Sequence, residues 1–248
     1  MRLATFQIGK GFILYDAGIL CDAALASQIA PVELNPAWFT AAFWQARSAV
    51  VGQAAGRGAS LFVDASAVAV ADQQWVLRAY RRGGFAARIS ESHYLWTGLE
   101  RTRAFHELRL NAALYDRGLP VPTPVAGCIW RHGLVYEAAL LTVRLPGARA
   151  LAELLPEADE ALLERVGNTI RRFHDAGLDH VDLNVRNLLI TPDKRIWLID
   201  LDRCRLRERG NWREANLKRL ERSLIKAGAP GLIDAIRTGY DAPRPAGG

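Results

Sequence analysis

The chain has 248 residues, half of them hydrophobic and 23% charged, with a formal net charge of +6. That is ordinary globular composition, long enough for one large domain or two small lobes, and the basic balance suits an anionic partner: nucleotide, nucleic acid or acidic lipid. Three widely separated cysteines, Cys21, Cys128 and Cys204, exclude a disulfide framework and a cysteine-based zinc site, and fit a reducing, cytoplasmic location.

The opening "MRLATFQIGKGFILYDAG" is interrupted by Lys10 and Asp16, so it makes a poor signal peptide, and no apolar run reaches the roughly 18 residues of a membrane span. "LNPAWFTAAFWQARSAV" predicts one helix, with Asn35 as cap and Pro36 in the first turn. Its aromatics Trp38, Phe39, Phe43 and Trp44 suit a core, with a membrane headgroup layer as the alternative. "VGQAAGRGASLFV" predicts a glycine-rich turn entering a strand, and "SAVAVADQQWVLRAYRRGG" a strand, a turn and a second strand. "RTRAFHELRLNAALYDRG" spaces Phe105, Leu108, Ala112 and Tyr115 as one helix face, with Gly118 as its stop. Extended chain with three prolines follows, then a strand in "GLVYEAALLTVRLPG". "EALLERVGNTIRRFHDAG" predicts a helix with Leu163, Val166, Ile170 and Phe173 inward and Gly177 at its end. "NLKRLERSLIKAG" predicts a basic amphipathic helix with Leu217, Leu220, Leu224 and Ile225 on its apolar side. The last residues, "DAPRPAGG", are expected to fray. A strand-rich early half and a helical later half predict an α+β, bilobal architecture: an N-lobe over 1–143 and a C-lobe over 144–248.

The chemistry concentrates in "HVDLNVRNLLITPDKRIWLIDLD". "LLI-TPDKR-IWLID" reads as a hairpin, and folding it back sets Asn187 beside Asp200, thirteen positions away in sequence, with Asp182 on the loop leading in. H-x-D-x-x-x-x-N followed by a strand-end Asp is the protein-kinase pattern. Its residue types follow from phosphoryl transfer: magnesium is a hard cation that takes oxygen ligands, here Asp200 and Asn187, while Asp182 stays free to take or orient a hydroxyl proton. His180 braces the loop. His174 and His180 lie six apart, which is neither helical metal-ligand spacing. Upstream, Gly56 and Gly58 in "GRGASLFV" suit a phosphate-covering turn. Arg78 stands where a kinase carries its phosphate-touching lysine, and Glu107 where a helix glutamate pairs with that cation. Arginine in place of lysine keeps the charge and adds a planar fork. Asp202, in "DLD" where many kinases have glycine, offers either another metal-facing carboxylate or a structural hydrogen bond. Cys204 reads as a small buried side chain.

With these residues in place, the chain resembles the 3-deoxy-D-manno-octulosonic acid (Kdo) kinases of Gram-negative bacteria, relatives of the lipopolysaccharide heptose kinases. The resemblance runs from near Gly56 to about Lys226, on "VLRAYRRGG", "WTGLERTRAFHELRL", "GLPVPTPVAG", "DLNVRNLLI", "IDLDR" and "NLKRLERSL"; the first fifty residues match less clearly. It implies a protein-kinase-like fold and ATP- and Mg2+-dependent phosphorylation of the 4-hydroxyl of a Kdo sugar on a lipid A precursor, lipid IVA. It places the enzyme peripherally at the cytoplasmic face of the inner membrane, on an anionic surface, with no nucleic acid as partner. Asp182 matches the family's active-site residue, and Asn187 and Asp200 its magnesium ligands.

Six arginines between 78 and 103 (78, 81, 82, 88, 101 and 103) against Glu91 and Glu100 suit an acceptor bearing carboxylate and phosphate. A soluble kinase for aminoglycosides or choline shares the H-x-D-x-x-x-x-N core, but such cationic acceptors call for acid-rich sites. A catalytically dead binding module is the third reading, opposed by the intact Asp182, Asn187 and Asp200. Nucleic-acid binding, prompted by charge alone, lacks a recognisable module. Only residues 201–248 follow Asp200, without an A-P-E segment, which disfavours a regulated protein kinase.

Overall fold

The computed structural model describes residues 1–21, 34–54, 60–68, 70–80 and 93–243. Two compact units emerge: Met1–Ala112 with Thr123–Arg144, and Ala113–Pro122 with Leu145–Gly248.

The first unit is built on an antiparallel sheet. Its strands are β1 (Leu3–Ile8), β2 (Gly11–Asp16), β3 (Val50–Gln53), β4 (Leu61–Asp64), β5 (Gln74–Ala79), β6 (Tyr94–Leu95), β7 (Pro124–His132) and β8 (Val135–Val143). They run in the order β1-β2-β7-β8-β5-β4-β3, with β6 also paired to β8. Strand periodicity sends alternate side chains to opposite faces, so Ile13, Leu77, Cys128 and Leu141 enter one core and Leu14, Tyr80, Ile129 and Leu140 another. The first core is completed by Trp38, Phe39, Trp44 and Trp75. The second is covered by helix α1 (Arg103–Asp116), through Phe105 and Leu108.

Two expectations for this unit are corrected. The helix expected over "LNPAWFTAAFWQARSAV" is two short turns, a 3-10 turn at Pro36–Phe39 and an α turn at Ala41–Gln45. Thr40 separates them: its backbone is extended, its hydroxyl donates to the Ala37 carbonyl at 2.7 Å, and the same oxygen caps the next turn at Phe43 N. Asn35 does cap the first turn, accepting from Ala37 N at 2.8 Å. Trp38, Phe39 and Trp44 are buried, and the Trp44 indole donates to the Trp38 carbonyl at 2.5 Å, so these rings are core and do not reach a headgroup layer. The first strand expected in "SAVAVADQQWVLRAYRRGG" is a 3-10 turn at Ala65–Val68, and only β5 is a strand. On α1, Phe105, Leu108 and Ala112 are buried while Tyr115 is exposed.

The second unit is mainly helical, with α2 (Glu160–Asp175), α3 (Trp212–Lys226) and α4 (Leu232–Asp241). Its short strands are β9 (Arg149–Ala150), β10 (Leu178–Asp179), β11 (Leu188–Ile190), β12 (Ile196–Leu198) and β13 (Arg205–Leu206). Asp159 caps α2 at Leu162 N, and Leu163, Val166, Ile170 and Phe173 bury one face as the spacing predicts. Gly177 ends it with φ +89, a conformation that a Cβ would also bring within 2.8 Å of the Arg207 carbonyl. Helices α2 and α4 cross at glycines: a Cβ on Gly167 would sit 1.9 Å from the Ile236 carbonyl oxygen, and one on Gly239 1.9 Å from that of Glu164. On α3, Leu217, Leu220 and Leu224 are buried, but Ile225 is exposed and lies off the apolar face.

His174, in the last turn of α2, packs edge-on against Trp212 and shares a 2.8 Å hydrogen bond between Nδ1 and the Tyr240 hydroxyl. Burial, helped by the nearby Arg213 charge, pulls its imidazole down to about 4. The folded protein keeps this ring neutral where the unfolded chain binds a proton below about pH 6.5. Its contribution to stability is therefore whole above about pH 6.5 and is lost as pH falls towards about 4. His174→Phe is expected to lose about 2 kcal/mol less stability than the parent between about pH 7 and pH 4.5, measured by urea unfolding at both pH values. Equal losses in the two proteins would remove His174 as the source.

Candidate active site

In the first unit, period-two alternation along β5 points Arg78 and Tyr80 to the same face, towards α1. There Glu107 is buried, and each of its carboxylate oxygens is engaged: Arg78 Nη2 donates to Oε1 and the Tyr80 hydroxyl to Oε2. The Arg78 guanidinium also lies 4.8 Å from the Tyr80 ring centroid, and that of Arg103 5.4 Å from it and 4.7 Å from Tyr94. Burial, and then the Glu107 charge, push the Tyr80 phenol well above its usual range, so it remains a donor. A buried carboxylate needs this much compensation, since an unpaired one is costly in low dielectric. The Arg78–Glu107 pair expected from the sequence therefore forms. Tyr80 is the member that sequence reading missed; its position two residues after Arg78 on a strand was the available signal.

In the second unit, β11 and β12 pair antiparallel with Leu188 opposite Leu198 and Ile190 opposite Ile196. The next rung continues the ladder, Ile199 N donating to the Asn187 carbonyl at 3.0 Å, and Asp200 follows directly. Asp200 has φ +61, a left-handed conformation that costs a non-glycine residue of the order of 1 kcal/mol and concentrates at functional sites. The incoming loop is tied by amides. Asn187 Nδ2 donates to the Asp182 carbonyl at 3.0 Å, and Asn184 Nδ2 to the same oxygen at 2.9 Å. The Asn184 side-chain oxygen accepts from Arg186 N at 2.8 Å. With Nδ2 committed, Oδ1 is the atom Asn187 has left for a cation.

His180 is the brace. It is buried, and its Nε2 donates to the Ile199 carbonyl at 3.0 Å. Burial lowers its basicity, against opposing contributions from that hydrogen bond and from the Asp200 and Asp182 charges. Hydrogen bonds thus tie the Asp182 loop to the strand end before Asp200, through Asn187 on one rung and His180 at Ile199. Beneath it, the buried Asp179 carboxylate accepts from Asn216 Nδ2 at 2.9 Å and Arg207 Nη1 at 3.1 Å. Burial alone would raise Asp179, but these hydrogen bonds and the Arg207 and Arg205 charges hold it below the usual carboxylate range. Asp179 and Asn216 are further residues the sequence reading passed over, because nothing local distinguishes a strut from a surface acid.

The Asn187 amide oxygen and the Asp200 carboxylate are hard-oxygen donors, a chemistry that suits a magnesium ion and not a soft one, and Asp182 is exposed. Gly56 and Gly58, and Arg81, Arg82 and Arg88, lie outside the described residues. The Cys204 thiol is buried, its sulfur near the Asp200 and Asp202 carbonyls. Asp202 lies 3.8 Å from Arg203 Nε.

A sequence model of the lipopolysaccharide kinase (Kdo/WaaP) family matches residues 41–236. The chain is 46% identical over 230 residues to a 3-deoxy-D-manno-octulosonic acid kinase of Xanthomonas axonopodis pv. citri, covering 90% of this chain and 85% of that one. To proteins of the same name it is 45% identical in Stenotrophomonas maltophilia (94% and 87% covered) and 42% in Xylella fastidiosa (92% and 88%). Among solved structures it is similar to the Rio2 kinase of Chaetomium thermophilum, with TM-score 0.47 and 18% identity over 97% of this chain and 72% of that one.

The shared carboxylate of the first unit makes its partners interdependent. Tyr80→Phe is expected to cost about 1–3 kcal/mol of unfolding free energy. A double-mutant cycle with Glu107→Gln is expected to give a coupling above about 0.5 kcal/mol in urea unfolding. Additive losses would mean that the hydroxyl and the carboxylate do not act as one unit.

Proposed function

The chain belongs to the lipopolysaccharide kinase (Kdo/WaaP) family, a kinase of lipopolysaccharide biosynthesis, and from that membership and the site we propose that it transfers the γ-phosphoryl group of ATP to the 4-hydroxyl of a Kdo residue on a lipid A precursor, lipid IVA. The observation that carries the reading is the loop geometry: an amide tied to the Asp182 carbonyl, one ladder rung from Asp200.

Asp182 is the catalytic carboxylate. It is exposed, its backbone is fixed by two side-chain amides, and among the described residues its carboxylate carries no ion pair, so it is open to a substrate hydroxyl. As the sugar oxygen bonds to the γ-phosphorus and the bond to the bridging oxygen breaks, Asp182 takes the hydroxyl proton and ADP is the leaving group. Asn187 and Asp200 hold Mg2+, which when bound offsets the phosphate charge. Arg78, oriented by Glu107, faces phosphate oxygens with its planar fork. His180, kept neutral by burial, donates to the Ile199 carbonyl and holds the backbone between the two carboxylates without drawing either into a full ion pair.

No helix among the described residues is long and apolar enough to cross a membrane. A lipid-linked acceptor then calls for peripheral work at the inner membrane's cytoplasmic face, where the +6 net charge favours an anionic surface.

The deciding assay is incubation with Mg-ATP and purified Kdo–lipid IVA, followed by mass spectrometry for one added phosphate and by NMR for its position. Aminoglycoside and choline acceptors run in parallel; phosphate on those and none on the lipid would overturn the assignment. Asp182→Ala is expected to slow transfer by about 10²–10⁴-fold with nucleotide affinity retained. Asp200→Ala is expected to weaken Mg-nucleotide binding itself, read by calorimetry. Parent-like turnover in the first, or unchanged affinity in the second, would remove the role given to that residue.

A further inference from the structure

A second cluster of metal-competent side chains stands on the first unit, unconnected with phosphoryl transfer. His93, His132 and Glu137 bring their ligand atoms within 4.8 Å of one another. His93 Nε2 is 3.8 Å from Glu137 Oε1 and His132 Nε2 is 3.5 Å from Oε2, so each imidazole addresses a different carboxylate oxygen. The two imidazole rings meet edge to face with centroids 5.8 Å apart.

Backbone register produces this convergence. In the β7–β8 ladder His132 is opposite Val135, two residues before Glu137, which places His132 on the Glu137 face of the sheet. In the β6–β8 ladder Tyr94 is opposite Tyr136. Continuing that register one residue sets His93 directly across from Glu137. Strands β7 and β8 and the residue just before β6 thus each present one ligand on a single face, with β8 in the centre, while Tyr94 and Tyr136 point to the other face and into the core. The two ladders share β8, so the ligands move together.

We propose that His93, His132 and Glu137 form a binding site for a divalent transition-metal ion, Zn2+ in the first instance, with solvent completing the coordination. A tetrahedral ion with nitrogen and oxygen ligands at about 2.0–2.2 Å separates them by roughly 3.3–3.5 Å, close to the observed 3.5 and 3.8 Å. Two imidazoles and one carboxylate select a borderline ion and discriminate against Mg2+, which takes oxygen ligands. The three side chains are between 38% and 49% exposed, so an ion reaches them without opening the fold and with little desolvation of the ligands. Occupancy would fasten β6 to the tip of the β7–β8 hairpin.

The test uses the untagged full chain in excess Mg2+, equilibrated with Zn2+ and then dialysed, with metal content and thermal unfolding measured. The parent is expected to retain one zinc ion per chain, to give a tetrahedral d–d spectrum with Co2+, and to unfold at a higher temperature with zinc than without. His132→Ala and Glu137→Ala are each expected to weaken zinc binding by at least about 10-fold, since even outer-shell changes cost that much. His106→Ala, which removes an exposed histidine of α1, is expected to behave as the parent. The proposal is overturned if the parent retains no zinc, or if both ligand variants, folded by circular dichroism, retain it as the parent does.

Discussion

The ladder between Leu188–Ile190 and Ile196–Leu198 is the constraint on which the second unit's chemistry depends. Leu188 and Leu198 are buried, so a slip of one residue would turn both out of the core and is strongly disfavoured. Register fixed by apolar burial then fixes where the polar ends emerge. The Asn187 carbonyl accepts from Ile199 N, the Ile199 carbonyl accepts from His180, and the Asn187 amide returns to the Asp182 carbonyl. Each bond satisfies a polar group that has little or no access to water, and the chain of them links three residues that are distant or semi-distant in sequence. The left-handed Asp200, directly after the last rung, is the point where this frame imposes strain.

Much of this was legible in the sequence, and the reason is local. A three-residue apolar run, a Pro-Asp turn and a second run describe a hairpin whatever surrounds it, and the α2 periodicity describes a helix with the same independence. The α+β character follows from these. Reading failed where tertiary contacts decided. Thr40 could have continued a helix; its hydroxyl instead found the Ala37 carbonyl, because two short turns let Trp38 and Trp44 both reach Trp75. Ala65–Val68 has strand composition, but Val70 N returns to the Ala65 carbonyl and closes a loop. The β1–β2 hairpin and α4 went unread, the first because its turn is Gly9-Lys10, a weak signal beside the apolar run, the second because its packing rests on glycines.

The same distinction separates what was found at the site from what was missed. Asp182, Asn187 and Asp200 occupy 19 positions of sequence and carry a spacing. Tyr80 meets Glu107 across 27 residues and His93 meets Glu137 across more, and unlike the Arg78–Glu107 pair neither contact belongs to a linear pattern, so Tyr80 and the His93–Glu137 pair went unread. Strand register brings His93 to Glu137, and the packing of α1 on the sheet brings Glu107 to Tyr80; both are available only once the tertiary partners are known.

Exposure finally sorts the acidic residues, which look alike in the sequence. Glu107 and Asp179 are almost wholly buried, and each is met by an arginine and a neutral donor: Arg78 with Tyr80, Arg207 with Asn216. Pairs of this kind are weak sources of net stability, because desolvation consumes most of the Coulomb gain, but removing one partner leaves a buried charge. Their evident use is to fix geometry, holding Arg78 within the first unit and the start of the 180–187 loop within the second. Asp182 is the opposite case, exposed and, among the described residues, without an ion pair. In the proposed mechanism the base is thus the acid that the fold leaves accessible to a substrate, and not one of those it uses as struts.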